Sequence, residues 1–180
     1  MTQVTAECAR LGLRAFQVES GIQVEVLRLI RNECRDGFAH DNEVISEIAQ
    51  RAWWVANRGL VAAWLYSYGG RPPDTGVAPE TVGYGMLRQT ADGRWWSSVG
   101  VSPQHTGRGY GGAITADVVR RCNKPVWASA RLDNPAAVAL HRAADWVRLA
   151  DDERLAHFVT RPHVYDEVLG DWAEHGMVLT

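Results

Sequence analysis

A cluster of glycines follows an apolar strand and has the composition of an anion-binding turn. Four of the six residues from Gly107 to Gly112 are glycine, a residue that disfavours helix formation. Because glycine has no Cβ, the backbone amides of such a turn can approach a ligand closely. A helix that begins there adds the positive end of its dipole and amides without intrahelical partners. The stretch therefore predicts a phosphate-bearing ligand at residues 107–112.

The spacing of these glycines excludes two common phosphate sites. The chain has no Gly-Lys-Ser/Thr, so the loop is not that of a nucleotide-hydrolysing P-loop protein. The dinucleotide pattern GxGxxG also fails, because the glycines stand at other offsets and no acidic residue follows about 20 positions later in a second strand. What remains is V-x-P followed by Q-x-x-G-x-G, formed by Val101, Pro103, Gln104, Gly107 and Gly109. The alternative is a strand-to-helix turn whose glycines serve packing only.

The pattern resembles the acyl-CoA loop of the GNAT superfamily of N-acetyltransferases. A second stretch, Asn134 to Trp146, resembles the family's downstream motif N-x-x-A-x-x-L-Y-x-x-x-G-F. Its asparagine, alanine and leucine are present as Asn134, Ala137 and Leu140, whereas its tyrosine, glycine and phenylalanine are replaced by His141, Asp145 and Trp146. The resemblance extends over about residues 60–150, and residues 1–180 are predicted to form a single domain.

The resemblance implies that acetyl-CoA is the co-substrate and that no metal takes part. In such a fold the fourth strand diverges from the fifth after a bulge, and main-chain groups of Val99 and Val101 pair with the pantetheine arm. The amides from His105 to Tyr110 hold the pyrophosphate. The predicted cofactor-binding residues are Val99, Gly100, Val101, Gln104, His105, Thr106, Gly107, Arg108, Gly109, Tyr110 and Asn134. Asn134 has a local alternative as a helix N-cap, and Arg108 and Arg142 either reach the phosphates or stay solvated.

His141 is the predicted catalytic residue. It stands at the position of the family's tyrosine, and histidine titrates near neutrality, which suits a proton donor to the departing CoA thiolate. The alternative is a core histidine held by one hydrogen bond. Transfer is expected to be direct, because none of Cys8, Cys34 and Cys122 is predicted near the thioester.

The base that deprotonates the amine is not evident. Many family members place a glutamate on the fourth strand, but RWWSSVGV has no carboxylate. The candidates near the first two helices are Asp36, His40, Asp41 and Glu43, each with an alternative as a cap or solvated charge. Aromatic residues that would line the acceptor pocket, or else belong to the core, are Trp53, Trp54, Trp95 and Trp96.

Hydrophobic spacing predicts strand, two helices, three strands, helix, strand, helix and two strands. Ser20 caps the first helix and Asp41 the second, whose core stripe is Ile45, Ile48, Ala49 and Ala52. A loop insert is predicted at 69–79 and a short helix at 165–172. This order indicates an α/β (α+β) fold with a mixed, mostly antiparallel central sheet flanked by helices on both faces, as in the GNAT fold.

Composition limits the partners. With 19 basic and 21 acidic residues the net charge is −2, which gives no general attraction to nucleic acid or to an anionic membrane. Three cysteines without a CxxC pair indicate a reducing compartment, and no apolar run is long enough to span a bilayer. A cytoplasmic protein is expected, and a homodimer is left open.

The predicted function is transfer of an acetyl group from acetyl-CoA to a primary amine of a small molecule. Two alternatives remain: an acyl-CoA-binding module without catalysis, and acylation of a macromolecular amine on a protein N-terminus, lysine, transfer RNA or nucleobase. The stretch from Ile30 to Trp54 is loosely similar to family members that acetylate amino sugars.

Overall fold

A computed structural model describes residues 4–40, 42–68, 80–143, 146–149 and 151–160. Within these ranges seven strands form one sheet in the order β1-β2-β3-β4-β5-β7-β6. Each pair of neighbours is antiparallel except β4 and β5, which are parallel. The strands are β1 (Leu13–Gln17), β2 (Val61–Tyr68), β3 (Thr81–Gln89), β4 (Trp95–Val101), β5 (Val126–Arg131), β6 (Trp146–Arg148) and β7 (Leu155–Thr160). The helices are α1 (Ala6–Arg10), α2 (Gly21–Cys34), α3 (Glu47–Ala56), α4 (Tyr110–Arg120) and α5 (Pro135–Ala143).

Helices cover both faces of this sheet, as predicted. On one face, here called the α4 face, Ile114 and Val118 of α4 pack in a core cluster with Tyr66 and Phe158, and α1 and α5 border it. On the other, the α2 face, the apolar side of α2 packs against β2 and β3, and α3 lies over α2. Gly85 lets α4 approach closely, because a Cβ there would lie 2.3 Å from Val118 Cγ2.

The start of α3 differs from the prediction. Ser46 is its N-cap and the helix begins at Glu47. The predicted core stripe is wrong: Ile48 is 83% exposed, Ala49 and Ala52 are exposed as well, and the residue buried in this helix is Gln50. The reason for the later start is a tertiary contact: the side chain of Asn32 donates to the Ile45 carbonyl (3.0 Å) and accepts from the Ile45 amide (2.9 Å). With both backbone groups of Ile45 engaged by α2, the segment before Ser46 is held outside the helix. Asp41, the predicted cap, lies outside the described residues.

A buried carboxylate fixes α4 to the sheet and to α1. Asp117 is fully buried and accepts from Tyr66 Oη (2.7 Å), Arg121 Nε (2.8 Å) and the Thr5 amide (2.8 Å). Burial raises the pKa of Tyr66, so this phenol stays a donor to Asp117. Removing one partner of such a network leaves a charge uncompensated in the interior. The network therefore holds the helix whose N-terminus carries the glycine loop.

Other predicted elements are confirmed. Ser20 forms a capping box with Gln23 at the start of α2, and Asn134 caps α5. The last two predicted strands are β6 and β7, which pair with each other. Helix α1, capped by Thr5, was not predicted. The predicted insert at 69–79 and the helix at 165–172 lie outside the described residues. Within the described ranges, no helix has the length and apolarity that crossing a bilayer requires.

Candidate active site

A cleft opens where β4 and β5 part. The two strands pair only at Trp95 with Val126 and at Trp96 with Trp127. Beyond these pairs they diverge, as the resemblance implied, and a continuous cleft of about 2080 Å³ includes this split and extends along both faces of the sheet. The bulge expected before the divergence is absent, because the register of β3 with β4 runs without a shift; the sheet's irregularity lies in β2, at Tyr66 and Ser67.

Backbone groups of Val99 and Val101 face this cleft. The Ser102 amide donates to the Val82 carbonyl at 2.8 Å, so Ser102 belongs to the residues of this strand that exchange hydrogen bonds with β3. Such residues alternate along an antiparallel ladder. In β4 the even-numbered positions therefore bond to β3, and Val99 and Val101 direct their amides and carbonyls away from it, where an extended ligand can pair with them.

The glycine loop leads directly into the N-terminus of α4. Gly107 and Gly109 have φ of 75° and 81°, a backbone region that favours glycine, and Gly109 is the N-cap of the helix. The amides of the first helical turn, from Tyr110 to Gly112, have no intrahelical acceptor. A Cβ added at Gly107 or Gly109 would meet nothing within 4 Å. Open space and amides without an intrahelical acceptor coincide, as an anion site requires.

Aromatic packing anchors the same loop. His105 is buried, edge-on to the rings of Tyr68 (5.6 Å) and Tyr110 (6.3 Å), whose two hydroxyls are hydrogen-bonded to each other. The His105 amide donates to the Ser102 carbonyl at 2.8 Å, so this amide is already used within the turn. Gln104 and Arg108 are exposed and outside the cleft lining; Arg108 lies beside Tyr68, whose pKa is raised by burial and by Tyr110.

Asn134 lines the cleft and caps α5. Its Oδ1 accepts from the Ala137 amide at 3.1 Å, and its Nδ2 donates to the Gly37 carbonyl at 3.4 Å. The predicted local role as an N-cap is therefore confirmed. Arg142 lies on another side of α5, in a separate shallow pocket with Leu132 and Val138.

His141 faces the cleft from the α4 face in apolar surroundings. Its ring stacks on Phe158 with 4.7 Å between centroids and lies edge-on to Trp146 at 4.9 Å. Nδ1 is 2.8 Å from the Ala137 carbonyl, and because a carbonyl only accepts, Nδ1–H is the donor. Burial lowers the pKa of His141, an effect that the bond to Ala137 partly offsets. In the neutral ring Nε2 is then an acceptor, and only the imidazolium can donate from it.

The wall on the α2 face holds a cation that the sequence did not single out. The Arg31 guanidinium lies 5.8 Å from the Phe38 ring and 5.7 Å from the Trp53 ring, and Nη1 donates to Gln50 Oε1 at 3.1 Å. Its Nε is buried without a hydrogen-bond partner among the described residues. Two aromatic faces and an amide orient this charge, while no carboxylate of the described chain forms a salt bridge with it. Each of these four side chains lines the cleft.

The predicted base candidates fall in part on this wall. Asp36, His40 and Glu43 line the cleft, whereas Asp41 lies outside the described residues. Glu33, not a candidate before, also lines it and accepts from Ser102 Oγ at 2.9 Å. Of the four predicted tryptophans, the cleft lining includes Trp53 and Trp96, and Trp95 packs in the core of the α4 face.

The expectation that no cysteine lies near the reacting position is wrong for Cys34. Its thiol donates to the Val101 carbonyl at 3.2 Å and lines the cleft. Gly100 makes room for it, because a Cβ there would lie 3.1 Å from the sulfur and 2.5 Å from the Tyr84 ring. Burial raises the pKa of Cys34 to about 12, which keeps it a thiol and a poor nucleophile.

Comparisons with known proteins agree with this geometry. The model of the acetyltransferase (GNAT) family matches residues 26–146. No curated protein matches. In the part of the chain that the structure describes, no three His, Cys, Asp or Glu side chains are grouped so that they could hold a metal ion.

Solved structures share the fold at low sequence identity. A spermidine N-acetyltransferase from Vibrio cholerae, in complex with CoA and spermine, is 10% identical with a TM-score of 0.65, over 83% of this chain and 95% of that one. A GNAT superfamily phosphinothricin acetyltransferase from Sinorhizobium meliloti, in complex with AcCoA, is 18% identical with a TM-score of 0.65, over 83% and 88%. A ribosomal-protein-alanine N-acetyltransferase from Brucella melitensis is 18% identical with a TM-score of 0.57, over 82% and 96%.

Proposed function

The chain belongs to the acetyltransferase (GNAT) family, and we propose that it transfers an acetyl group from acetyl-CoA directly to the primary amine of a small molecule. The observation that carries the proposal is the split between β4 and β5. Backbone groups of Val99 and Val101 that point away from β3 line it, and the amides at the start of α4, which have no intrahelical acceptor, lie at the same cleft. Acetyl-CoA is a linear thioester with a diphosphate, so it needs both backbone groups that pair with an extended arm and amides that bind phosphate.

The residues present fit acetyl-CoA. Val99 and Val101 would pair with the pantetheine arm as an added strand, and an amide of this region would polarise the thioester carbonyl. The amides from Thr106 to Gly112 would bind the diphosphate, while the His105 ring and amide stay with the turn. Acetyl-CoA supplies the activated acetyl group; the protein orients it and admits the amine from the other face.

His141 is the proposed proton donor to the departing thiolate. Because Nδ1–H is bound to the Ala137 carbonyl, donation from Nε2 requires the imidazolium. Burial lowers the pKa of His141, which makes the imidazolium less populated at neutral pH but a stronger acid. The role therefore predicts that kcat falls as pH rises through this lowered pKa.

The acceptor is proposed to enter on the α2 face, between α2, α3 and β4. The concave wall of Arg31, Phe38 and Trp53 offers a cation and two aromatic faces, which suit a small polar molecule. Two of the structural relatives are named for small amines, spermidine and phosphinothricin, and one for a ribosomal-protein alanine. The free thiols of Cys8, Cys34 and Cys122 suit the reducing cytoplasm.

A thiol-release screen tests the proposal. The purified protein is incubated with acetyl-CoA and separate panels of amino sugars, polyamines, amino acids and peptides, and free CoA is measured together with the mass of the product. Acetylation of a small amine is the expected result. Tight binding of CoA without turnover on any amine would indicate the acyl-CoA-binding module, and turnover on peptides alone would indicate a macromolecular acceptor.

A further inference from the structure

Three polar side chains form a hydrogen-bonded chain at the edge of the cleft. Ser129 Oγ of β5 lies 2.9 Å from His157 Nδ1 of β7, and His157 Nε2 lies 3.1 Å from Asp152 Oδ2. An ionised carboxylate only accepts, so Nε2–H donates to Asp152. In the neutral ring Nδ1 is then the acceptor for the Ser129 hydroxyl. The order of donors and acceptors is that of a serine–histidine–aspartate arrangement.

The sheet and a turn hold this chain in place. Ser129 and His157 are opposite each other in the β5–β7 register. Asp152 accepts from the amides of Arg154 (2.8 Å) and Leu155 (2.7 Å) at the start of β7. These two bonds, followed by the one with His157, lower the pKa of Asp152 and keep it ionised. The Asp152 carboxylate is therefore held in a fixed orientation beside His157 Nε2.

Ser129 brings the hydrogen-bonded chain to the start of the split between β4 and β5. It stands two residues beyond Trp127, the last residue of β5 that pairs with β4, and it lines the cleft. Ser98 stands two residues beyond Trp96 on the opposing strand and also lines the cleft. By strand alternation both serines face the α2 face, where the acceptor is proposed to enter. His157 stands behind Ser129 and is 26% exposed, so a proton that reaches it can pass to solvent.

We propose that Ser129 and His157 form the proton relay that deprotonates the attacking amine, an inference that rests on the proposed acetyl transfer. As the amine nitrogen forms its bond to the acetyl carbon and the carbon–sulfur bond breaks, the amine gives a proton to Ser129 Oγ. The Ser129 hydroxyl proton moves to His157 Nδ1. Asp152 stabilises the imidazolium, which returns its proton to water, and CoA leaves as a thiolate that takes up one proton. Atoms and charge balance without a further reactant.

The relay supplies a base that β4 does not. This strand carries no carboxylate, and an amine must lose a proton before or during attack. Ser129 and His157 are catalytic residues in this scheme, and Asp152 is a positioning residue that fixes the tautomer and orientation of His157.

Substitutions distinguish a catalytic role of the relay from a structural role in the β6–β7 hairpin. Ser129→Ala and His157→Gln should each lower kcat by about 10²-fold, the lower end of general acid–base steps. Asp152→Asn should cost less, about 10-fold, because Asp152 orients His157 and takes no proton itself. The KM for acetyl-CoA should change less than about 2-fold, since the relay takes the amine proton in the transition state and not when acetyl-CoA binds. The double variant Ser129→Ala/His157→Gln should be little slower than either single variant, because the two residues act as a unit. Asp151→Asn, which removes the neighbouring carboxylate paired with Arg148, is the matched control and should leave kcat unchanged.

Two measurements distinguish this from a structural role. Added imidazole should restore part of the activity of His157→Ala, which a destabilised hairpin would not show. Nitrogen-15 NMR of the wild type should show His157 with its proton on Nε2, and Asp152→Asn should lose that preference; this readout needs no acceptor. If transfer occurs and His157→Gln keeps kcat within about threefold, or if the proton is on Nδ1, the relay is overturned. A wild type that transfers acetyl to no amine overturns the proposed function and the relay with it.

Discussion

Two histidines lie on opposite faces of the sheet, His141 in the lining of the cleft and His157 on β7 behind Ser129, and their surroundings give them opposite chemistry. On the α4 face His141 donates to a carbonyl and stacks on Phe158, and burial lowers its pKa. On the α2 face His157 has a hydroxyl on one nitrogen and the ionised Asp152 on the other. A motif position alone does not set the role of a histidine, because the partners of its two nitrogens decide whether it can accept or donate.

The two walls of the cleft also differ in polarity. The α4 face combines apolar side chains with the glycine loop and the amides at the N-terminus of α4. The α2 face carries the oriented Arg31, the serines at the split and the carboxylates near α2. The first wall suits the long, partly apolar co-substrate, and the second suits a polar acceptor.

The largest expected effect is a loss of CoA affinity when the glycine loop on the α4 face is changed. Gly109→Val adds a β-branched side chain at φ 81° and fills the space where amides and phosphate would meet. We expect the Kd for CoA to rise by about 100-fold, a difference of roughly 2.7 kcal/mol. Calorimetry with CoA measures it. Gly93→Val is the matched control, because Gly93 has φ 84° in the β3–β4 turn, away from the loop; equal binding by Gly109→Val and wild type would show that the loop assignment is wrong.

The next largest effect tests whether His141 donates the proton to the departing thiolate. His141→Ala should lower kcat by about 10 to 100-fold with little change in the KM for acetyl-CoA, His141→Tyr should recover part of the loss, and His141→Phe should not. Because burial lowers the pKa of His141, wild-type kcat should fall as pH rises through that value. His141→Tyr should abolish this fall, since a phenol stays protonated to higher pH. A loss under about threefold in His141→Ala leaves the residue a packing role only.

A smaller effect separates the two walls. Arg31→Gln removes the charge held by Phe38 and Trp53 and should raise the KM about 10-fold for acceptors that carry a carboxylate beside the amine. Acceptors without a carboxylate, and acetyl-CoA, should change less than about 2-fold. Steady-state kinetics with paired acceptors measures this. Arg51→Gln is the control, because Arg51 is 63% exposed and pairs with Glu47 on α3; no difference between the paired acceptors would contradict an anion-binding role.

The smallest effect concerns the thiol at the split. Cys34→Ala should keep kcat within about 2-fold, because a thiol whose pKa is raised to about 12 is not a competent nucleophile. Intact-mass analysis after incubation with acetyl-CoA alone should show no acetylated protein. A stable acetyl adduct on Cys34, absent from Cys34→Ala and present in Cys122→Ala, would show transfer through a cysteine rather than directly.

The parts of the fold that were predicted from sequence depend on signals a few residues apart. The Ser20 cap of α2 and the Asn134 cap of α5 are each specified by neighbours within about one helical turn. The order of strands followed from alternation and length, and so did the sheet with helices on both faces. The glycine loop was predicted for the same reason, because its conformation depends on its own residues.

Tertiary structure alone decided the rest of the site. Ser129, Asp152 and His157 come from a strand, a turn and another strand, and only the β5–β7 pairing brings them into one chain. Asn32 set the start of α3 from another helix, and the missing side chain of Gly100 admitted Cys34 to Val101. Local sequence determines backbone conformation through steric and hydrogen-bond preferences of adjacent residues. The partners of a side chain far along the chain depend on which surfaces pack, and that is a property of the whole fold.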